Sequence, residues 1–256
     1  KLRRAQDAAE RARPYAGKLT ELLSAVSVGF DLESMPHPLL ARREERRIDV
    51  VVLTSDRGLC GGFNAQLLRR VEGFLRERAG VEISVHVLGR KGIEHFRRKA
   101  VTPLSERQGV LTTPVIELAA GLARGVVERF TKGETDGVYL AYSRFRSAIS
   151  QIPTVSPLLP VSPPAVGEHT GDYIFEPTRP DLLDALLPRY IEALVSQAVL
   201  ESIASEHGAR MTAMESATNN ASDMIERLTL LMNRTRQAAI TKELMEIVSG
   251  SEALKG

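Results

Sequence analysis

The chain has 256 residues, of which 43% are hydrophobic and 26% charged, and its net charge is +2 at neutral pH. This balance is typical of a folded protein and excludes a disordered chain, and the small net charge argues against a general polyanion binder. A single cysteine, Cys60, excludes an internal disulfide and favours a reducing compartment. The sequence shows no apolar run long enough to span a bilayer and no signal peptide. A helical pattern is already under way at Lys1, so we expect further residues upstream.

The first thirty residues carry a heptad repeat. Their apolar residues recur at alternating steps of three and four, the period of a coiled-coil seam. The members are Leu2, Ala5, Ala9, Ala12, Ala16, Leu19, Leu23 and Val26. Because many of them are alanine, we expect a partner helix to approach closely. The pattern predicts a coiled-coil helix over residues 1–30.

The middle of the chain alternates between strand and helix patterns. Short apolar β-branched runs predict strands at Ile48–Thr54, Ile83–Leu88, Val138–Tyr142 and Thr154–Val161. Amphipathic patterns predict helices over residues 64–78, over Arg90–Arg98 and from Thr113-Pro114 onward. Such alternation with short connections predicts an inserted Rossmann-like α/β sheet domain over residues 48–165.

The C-terminal end carries a second heptad repeat. Its seam residues are Met211, Met214, Thr218, Ala221, Ile225, Leu228, Met232, Thr235 and Ala239. A continuous helix over 181–254 would be about 110 Å long at 1.5 Å per residue. Ten basic and seven acidic residues give residues 1–47 a charge of +3, whereas seven and eleven give 181–256 a charge of −4. We therefore predict an α/β protein in which the N- and C-terminal helices form one long antiparallel two-stranded coiled coil.

The segment Thr54–Asn64 is the main candidate for a chemical site. It is glycine-rich and joins a buried strand to a helix, where phosphates often bind. It contains neither of the two glycine-rich nucleotide-binding motifs, so a tight turn that lets the helix dock on the sheet is favoured. Cys60 could be a nucleophile at the helix N-terminus, but a small buried thiol is the favoured interpretation.

The remaining polar residues do not assemble into a catalytic or metal site in the sequence. The five histidines are scattered without metal-ligand spacing. Glu243 and Glu246, one turn apart, are better explained by a solvated helix face than by acid–base catalysis. The basic stretch from Arg90 to Lys99 could contact nucleic acid or lipid headgroups, but it lacks interleaved aromatics, which favours a solvated helix face. We therefore predict no catalytic residue, cofactor or metal.

Four stretches together resemble the γ subunits of F-type ATP synthases, which form the central rotor shaft. The resemblance covers essentially the whole chain, and the last two stretches are highly specific. They are Lys1–Gln6, Ser55–Asn64, Met211–Ala221 and Asn233–Gly250. The chain departs from the family pattern at Ser251, where the family usually has alanine. It also lacks the first turns of the first helix and the cysteine-bearing insertion of the chloroplast type.

The resemblance implies a non-catalytic subunit whose coiled coil stands inside a ring of α and β subunits. Rotation driven by ion flow through a membrane ring would change the β-subunit sites in turn. By motif position, Arg236, Gln237, Thr241 and Glu243 would contact the β subunit. The sheet domain and Asp172–Pro177 would form a foot that meets the ε subunit and the membrane c-ring. No nucleic-acid partner is implied.

The same resemblance implies a peripheral location on the cytoplasmic face of a bacterial inner membrane, or an equivalent energy-coupling membrane, with membrane contact only through the complex. Two other interpretations of the sequence stay open. The first is a nucleotide- or phosphate-binding α/β protein with coiled-coil arms, binding through backbone amides near Gly58–Gly62. The second is a static coiled-coil scaffold.

Overall fold

The computed structural model describes residues 1–27, 37–162 and 178–253. The chain divides into two compact units, Lys1–Thr212 and Ala213–Gly256. The helices are α1 (Leu2–Ser27), α2 (Phe63–Glu77), α3 (Arg90–Arg98), α4 (Val115–Thr131) and α5 (Arg179–Ala253), with a short 3-10 helix at Pro38–Leu40. The strands are β1 (Arg47–Leu53), β2 (Glu82–Leu88), β3 (Ser105–Arg107), β4 (Gly137–Ser147) and β5 (Ser150–Leu159).

The five strands form one sheet in the order β3-β2-β1-β4-β5. The first four are parallel, and β5 returns antiparallel to β4. A parallel order of 3-2-1-4 is that of a Rossmann fold, in which ligands bind between the first and fourth strands at their carboxyl ends. The predicted α/β sheet is therefore confirmed, and its topology shows where a nucleotide would lie.

Helices cover both faces of the sheet, which explains the nearly continuous apolar sequence of β1. Alternate residues of a strand point to opposite faces. Val50 and Val52 belong to an apolar cluster with α2 and α3 residues such as Leu67. Val51 belongs to the cluster on the other face, which includes Phe130 of α4 and residues of α1 and α5. The core therefore lies in two layers, one on each side of the sheet.

Helix α1 packs antiparallel against the first part of α5. Its seam is buried or half-buried throughout, and Leu23 shares an apolar cluster with Ile191. Earlier in α1, Ala9 clusters with Ala204. The guanidinium of Arg13 lies 3.3 Å from the carboxylate of Glu201, which is only 1% exposed. Later α1 residues thus meet earlier α5 residues, as the heptad pattern predicts for an antiparallel pair.

Within the unit Lys1–Thr212, α1 packs with the part of α5 that precedes the predicted seam. The predicted partner seam, Met211 to Ala239, is exposed along its length; Ile225 is 66% exposed and Met232 59%. The stretch of α5 that packs with α1 runs from Leu183 to Ala204. A heptad period identifies which face of a helix is apolar but does not define the register of the pair.

Strands β3, β4 and β5 differ from the prediction, and β4 continues to Ser147, five residues beyond its predicted end at Tyr142. Strand β3 was not predicted, because its three residues are polar and exposed and carry no apolar signal. Strand β5 begins at Ser150, earlier than the predicted start at Thr154, and contains Pro153 and Pro157. Proline is tolerated there because β5 lies at the edge of the sheet.

Some predictions fall outside the described residues. These are the foot segment Asp172–Pro177, residues 28–30 and 163–165 at the ends of two predicted domains, and the end of the C-terminal helix at Leu254. The three predicted domain ranges therefore stay a prediction. Within the part of the chain that is described, no helix is both long enough and apolar enough to cross a membrane.

Candidate functional site

The glycine-rich turn after β1 is held together by its own side chains. Asn64, in the first turn of α2, accepts a hydrogen bond from the backbone N–H of Ser55 at 3.0 Å. Its amide also donates to Ser55 Oγ at 2.7 Å and lies 3.3 Å from the sulfur of Cys60. The left-handed backbone at Leu59 and Gly61, φ 60° and 55°, closes the turn. This closed arrangement favours the tight-turn interpretation.

An aspartate of the turn occupies the place that an anion would take. The carboxylate of Asp56 accepts hydrogen bonds from the backbone N–H groups of Arg90, Gly109 and Val110 at 3.2, 3.2 and 2.9 Å. Arg90 is the first residue of α3, and helix N-termini are where phosphates commonly bind. The Asp56 carboxylate thus takes the position of a bound anion at the N-terminus of α3. It also connects the turn after β1 to the loop that contains Gly109 and Val110.

Helix α5 fills the crevice in which a Rossmann fold would hold a nucleotide. The hydroxyl of Ser205 donates to the carbonyl of Ser143, in the last part of β4, at 2.9 Å. Arg210 donates from Nη2 to the carbonyl of Arg57 at 3.2 Å and from Nε to that of Gly58 at 3.3 Å. These contacts place α5 over the carboxyl ends of β1 and β4. Because α5 occupies this crevice, the structure argues against the nucleotide-binding interpretation, which requires the crevice to be open.

The hairpin between β4 and β5 abuts the same part of α5. A Cβ at Gly208 would lie 3.0 Å from the carbonyl oxygen of Ala148, so glycine permits this close approach. The hydroxyl of Thr212 donates to the same oxygen at 3.3 Å. Sequence reasoning missed this junction and Arg210, because the partners lie far apart in the chain.

We expect Arg210→Ala to destabilise the chain by about 3 kcal/mol at neutral pH, since it leaves a buried carboxylate without its cation. Arg210 lies 2.8 Å from Glu206, which is 2% exposed. Burial raises the pKa of Glu206, and Arg210 opposes that rise. A raised folded-state pKa means that the folded state takes up the proton more readily, so this carboxyl becomes increasingly unfavourable as the pH rises.

The cost of Arg210→Ala should therefore be smaller near pH 5 than near pH 7.5, because a protonated Glu206 needs no cation. Denaturant unfolding at both pH values measures this difference. The exposed Arg189, on the same helix, provides the control variant Arg189→Ala, which should change stability little at either pH. An equal loss for Arg210→Ala at both pH values would contradict the role of Glu206.

A cleft of about 720 Å³ lies between α1, α5 and the loop of residues 108–113. Arg4, Arg57 and Arg90 line it, together with His207. Burial, and then the positive charge of Arg210, lower the pKa of His207, so this histidine is neutral at pH 7. The cleft is a basic surface in which these residues form no nucleophile–base pair.

The surroundings of the other candidate sites from the sequence favour one interpretation of each. Cys60 is 2% exposed, which favours the buried-thiol interpretation over a nucleophile. The basic residues of α3 are largely paired with carboxylates: Lys91 with Glu94 at 2.8 Å, and Arg97 with Glu106 at 2.5 Å. This pairing favours a solvated helix face over a nucleic-acid or lipid surface. No cluster of three or more metal-ligating side chains occurs in the described ranges 1–27, 37–162 and 178–253.

The four residues predicted to contact a β subunit all lie exposed on α5. Arg236 and Glu243 are seven residues apart and share one face, and Gln237 and Thr241, four apart, share another. At 100° per residue, the second pair lies roughly opposite the exposed heptad seam. These residues therefore lie on two faces of α5 that also expose apolar side chains such as Ile240 and Leu244.

Comparison with known proteins identifies the family. The family model described as "ATP synthase" matches residues 1–254. The chain is 50% identical to the ATP synthase gamma chain of an Anaeromyxobacter species and 50% identical to that of Geobacter metallireducens. In each case the match covers 100% of this chain and 90% of the relative.

Among solved structures, the chain is similar in fold to part of the mitochondrial ATP synthase of Euglena gracilis. That match has a TM-score of 0.63 and 19% identity, and covers 99% of this chain and 94% of the other. The family model and the relatives agree with one another. The chain belongs to the gamma-chain family of the F-type ATP synthases and is a non-catalytic, central-stalk rotor subunit of that complex.

Proposed function

We propose that this chain is the shaft that couples ion-driven rotation of a membrane ring to conformational cycling of catalytic β subunits. The chain would serve ATP synthesis, or hydrolysis-driven pumping in reverse. The observation that carries the proposal is α5, a single helix of 75 residues. From Met211 to Val248 it exposes many large apolar side chains, and exposed apolar patches of this size mark surfaces that partners cover.

The proposed form of the shaft is an antiparallel two-stranded coil of the terminal helices. Two observations support it. The α1 seam is buried antiparallel against the first part of α5, and the heptad repeat of α5 continues to Ala239. Small seam residues such as Ala9 and Ala16 make such a coil slender, which suits a rod that turns inside a ring.

Arg236, Gln237, Thr241 and Glu243 are the proposed contacts with the β subunit. Their charges are unevenly placed around α5, so the β subunits surrounding the shaft would meet different faces of it. Each orientation of the shaft would then favour a different conformation of the β subunit that it touches. Rotation would act as a population shift, in which contacts differ in free energy between open and closed states.

The proposed partners are the α and β subunits of the catalytic ring, the ε subunit and the membrane c-ring. We place the chain peripherally on the cytoplasmic face of a bacterial inner membrane or an equivalent energy-coupling membrane. Membrane contact through the complex fits a described region in which no helix could cross a bilayer.

Reconstitution tests this function directly. The chain is mixed with α and β subunits of a gamma-chain relative's complex, purified by size exclusion and assayed for ATP hydrolysis. We expect the chain to co-elute with the ring and to raise its turnover several-fold above that of α and β alone. Failure to co-elute, or unchanged turnover in the co-eluted complex, would contradict the proposal.

A calorimetric titration separates the alternative function from the proposed one. The isolated chain is titrated with ATP and with ADP. We expect no binding, since Asp56 and α5 already occupy the places where a nucleotide would bind. Binding that Gly61→Ala abolishes would instead support the α/β nucleotide-binding interpretation.

A further inference from the structure

Three polar side chains from neighbouring strands lie in a row on the sheet face that α4 covers. Strands β1, β2 and β3 contribute Asp49, His86 and Ser105. His86 and Ser105 are cross-strand partners, and Asp49 lies two residues before Val51, the β1 partner of His86. Ser105 Oγ lies 2.8 Å from His86 Nδ1, and His86 Nε2 lies 3.1 Å from Asp49 Oδ2. This is the hydroxyl–imidazole–carboxylate order of nucleophilic acyl transfer, and rotor function does not use it.

The charge on Asp49 determines where the imidazole carries its proton. Asp49 is 1% exposed, and Arg129 of α4 donates to it from Nε at 2.7 Å and from Nη2 at 3.2 Å. Burial opposes the charge, but hydrogen bonds from His86 and Arg129 lower the pKa of Asp49, which is therefore ionised. An ionised carboxylate only accepts, so in the neutral imidazole Nε2 carries the proton and Nδ1 accepts. The Ser105 hydroxyl accordingly donates to Nδ1.

The serine faces a cavity that would admit a small molecule. The cavity measures about 300 Å³ and is lined by His86, Ser105, Arg107 and, on α4, Gly121 and Gly125. Ser105 itself is exposed, whereas His86 is 8% exposed and Asp49 buried, so the hydroxyl is the accessible member of the row.

An arginine lines the same cavity as the serine. Ser105 and Arg107 are two residues apart on β3 and so point to the same face. The position that a Cβ on Gly121 would take lies 3.6 Å from Arg107 Nη1, so the guanidinium lies against the glycine. Arg107 thereby supplies positive charge where negative charge would develop on an acyl oxygen.

We propose that Ser105 is an activated nucleophile that accepts acyl groups from small activated esters, with His86 as its base and Asp49 as a positioning residue. In the step, Ser105 Oγ forms a bond to the acyl carbon and its proton passes to His86 Nδ1. The bond from the acyl carbon to the leaving oxygen breaks, and that oxygen takes the proton. The product is an acyl ester of Ser105.

Acetylation by p-nitrophenyl acetate tests the proposal on the full chain. We expect release of one p-nitrophenol per chain in a fast phase, detected as p-nitrophenolate after it loses its proton to the buffer, and one acetyl group on Ser105 by peptide mass mapping. Ser105→Ala should remove both. His86→Gln should slow the fast phase about a hundredfold, the usual contribution of a general base. Ser150→Ala, which changes a serine of β5 outside the row, should leave the rate unchanged.

Acetyl groups found only on lysines or on other serines would overturn the proposal. A fast phase that His86→Gln leaves at the wild-type rate would also overturn it, because the hydroxyl would then not depend on its base. Thermal unfolding checks that each variant is folded. If His86→Gln does not fold, peptide mapping of the acetylated wild type and of Ser105→Ala still shows whether Ser105 is the acyl acceptor. Ser105→Ala is expected to fold, because Ser105 is exposed on an edge strand.

Discussion

Replacing Gly89 with alanine should cost the folded chain about 3 kcal/mol or more of its free energy of unfolding. Gly89 joins β2 to α3 at φ 94°, and a Cβ there would lie 2.2 Å from the carbonyl oxygen of Thr54. Thr54 has little freedom to withdraw, since its N–H and its hydroxyl each donate to Leu88 O at 2.8 Å. Positive φ costs alanine about 1–2 kcal/mol, and forced repacking adds about 1–3 kcal/mol. Denaturant unfolding followed by circular dichroism measures the sum.

Gly80→Ala is the matched control for this effect. Gly80 also has a positive φ of 105°, but nothing lies within 4 Å of the Cβ that alanine would add. The control should therefore show only the backbone cost of about 1–2 kcal/mol. If the two variants lost the same free energy of unfolding, the contact with Thr54 would relax without cost. The packing of the residue after β1 against the start of α3 would then be looser than the structure indicates.

The elements that could be predicted from the sequence are those with apolar periodicity over several residues. Strand β1 and helices α2 and α4 belong to this class, because the sheet buries one face of each helix and both faces of the strand. Strand β3 does not, because pairing with β2 determines its conformation and its own residues are polar. The register of α1 on α5 was unpredictable for a related reason: a repeated pattern fits several registers equally well.

The side-chain contacts of the candidate sites in the sheet domain were even harder to predict from the sequence, because they depend on tertiary structure. Glycines in the turn after β1 indicated either a phosphate site or a tight turn, and the sequence could not separate the two. Arg210, whose contact favours the tight turn, lies 152 positions beyond Gly58, a distance at which no local pattern gives a signal. The row of Asp49, His86 and Ser105 likewise appears only once the strand order and register are known.

Within an assembled complex, Arg236→Ala combined with Gln237→Ala should lower ATP turnover about tenfold. Both side chains are exposed on α5, and we propose that they bind the β subunit in some orientations of the shaft and not in others. Hydrogen bonds to charged groups contribute about 1.5–3 kcal/mol, and about 1.4 kcal/mol corresponds to a tenfold change in rate. Steady-state ATP hydrolysis by the reconstituted complex measures the effect.

The nucleotide affinity of isolated β subunits should be unaffected by these substitutions, because the shaft holds no nucleotide in the proposed mechanism. Glu226→Ala combined with Arg227→Ala alters equally exposed polar residues of α5 outside the family motif and should leave turnover within about twofold, as surface substitutions usually do. If the Arg236 and Gln237 variant assembled fully and kept normal turnover, the contact surface would lie elsewhere on α5. The rotor function would then rest on the apolar face from Met211 to Ala239, whose exposure is independent of these two side chains.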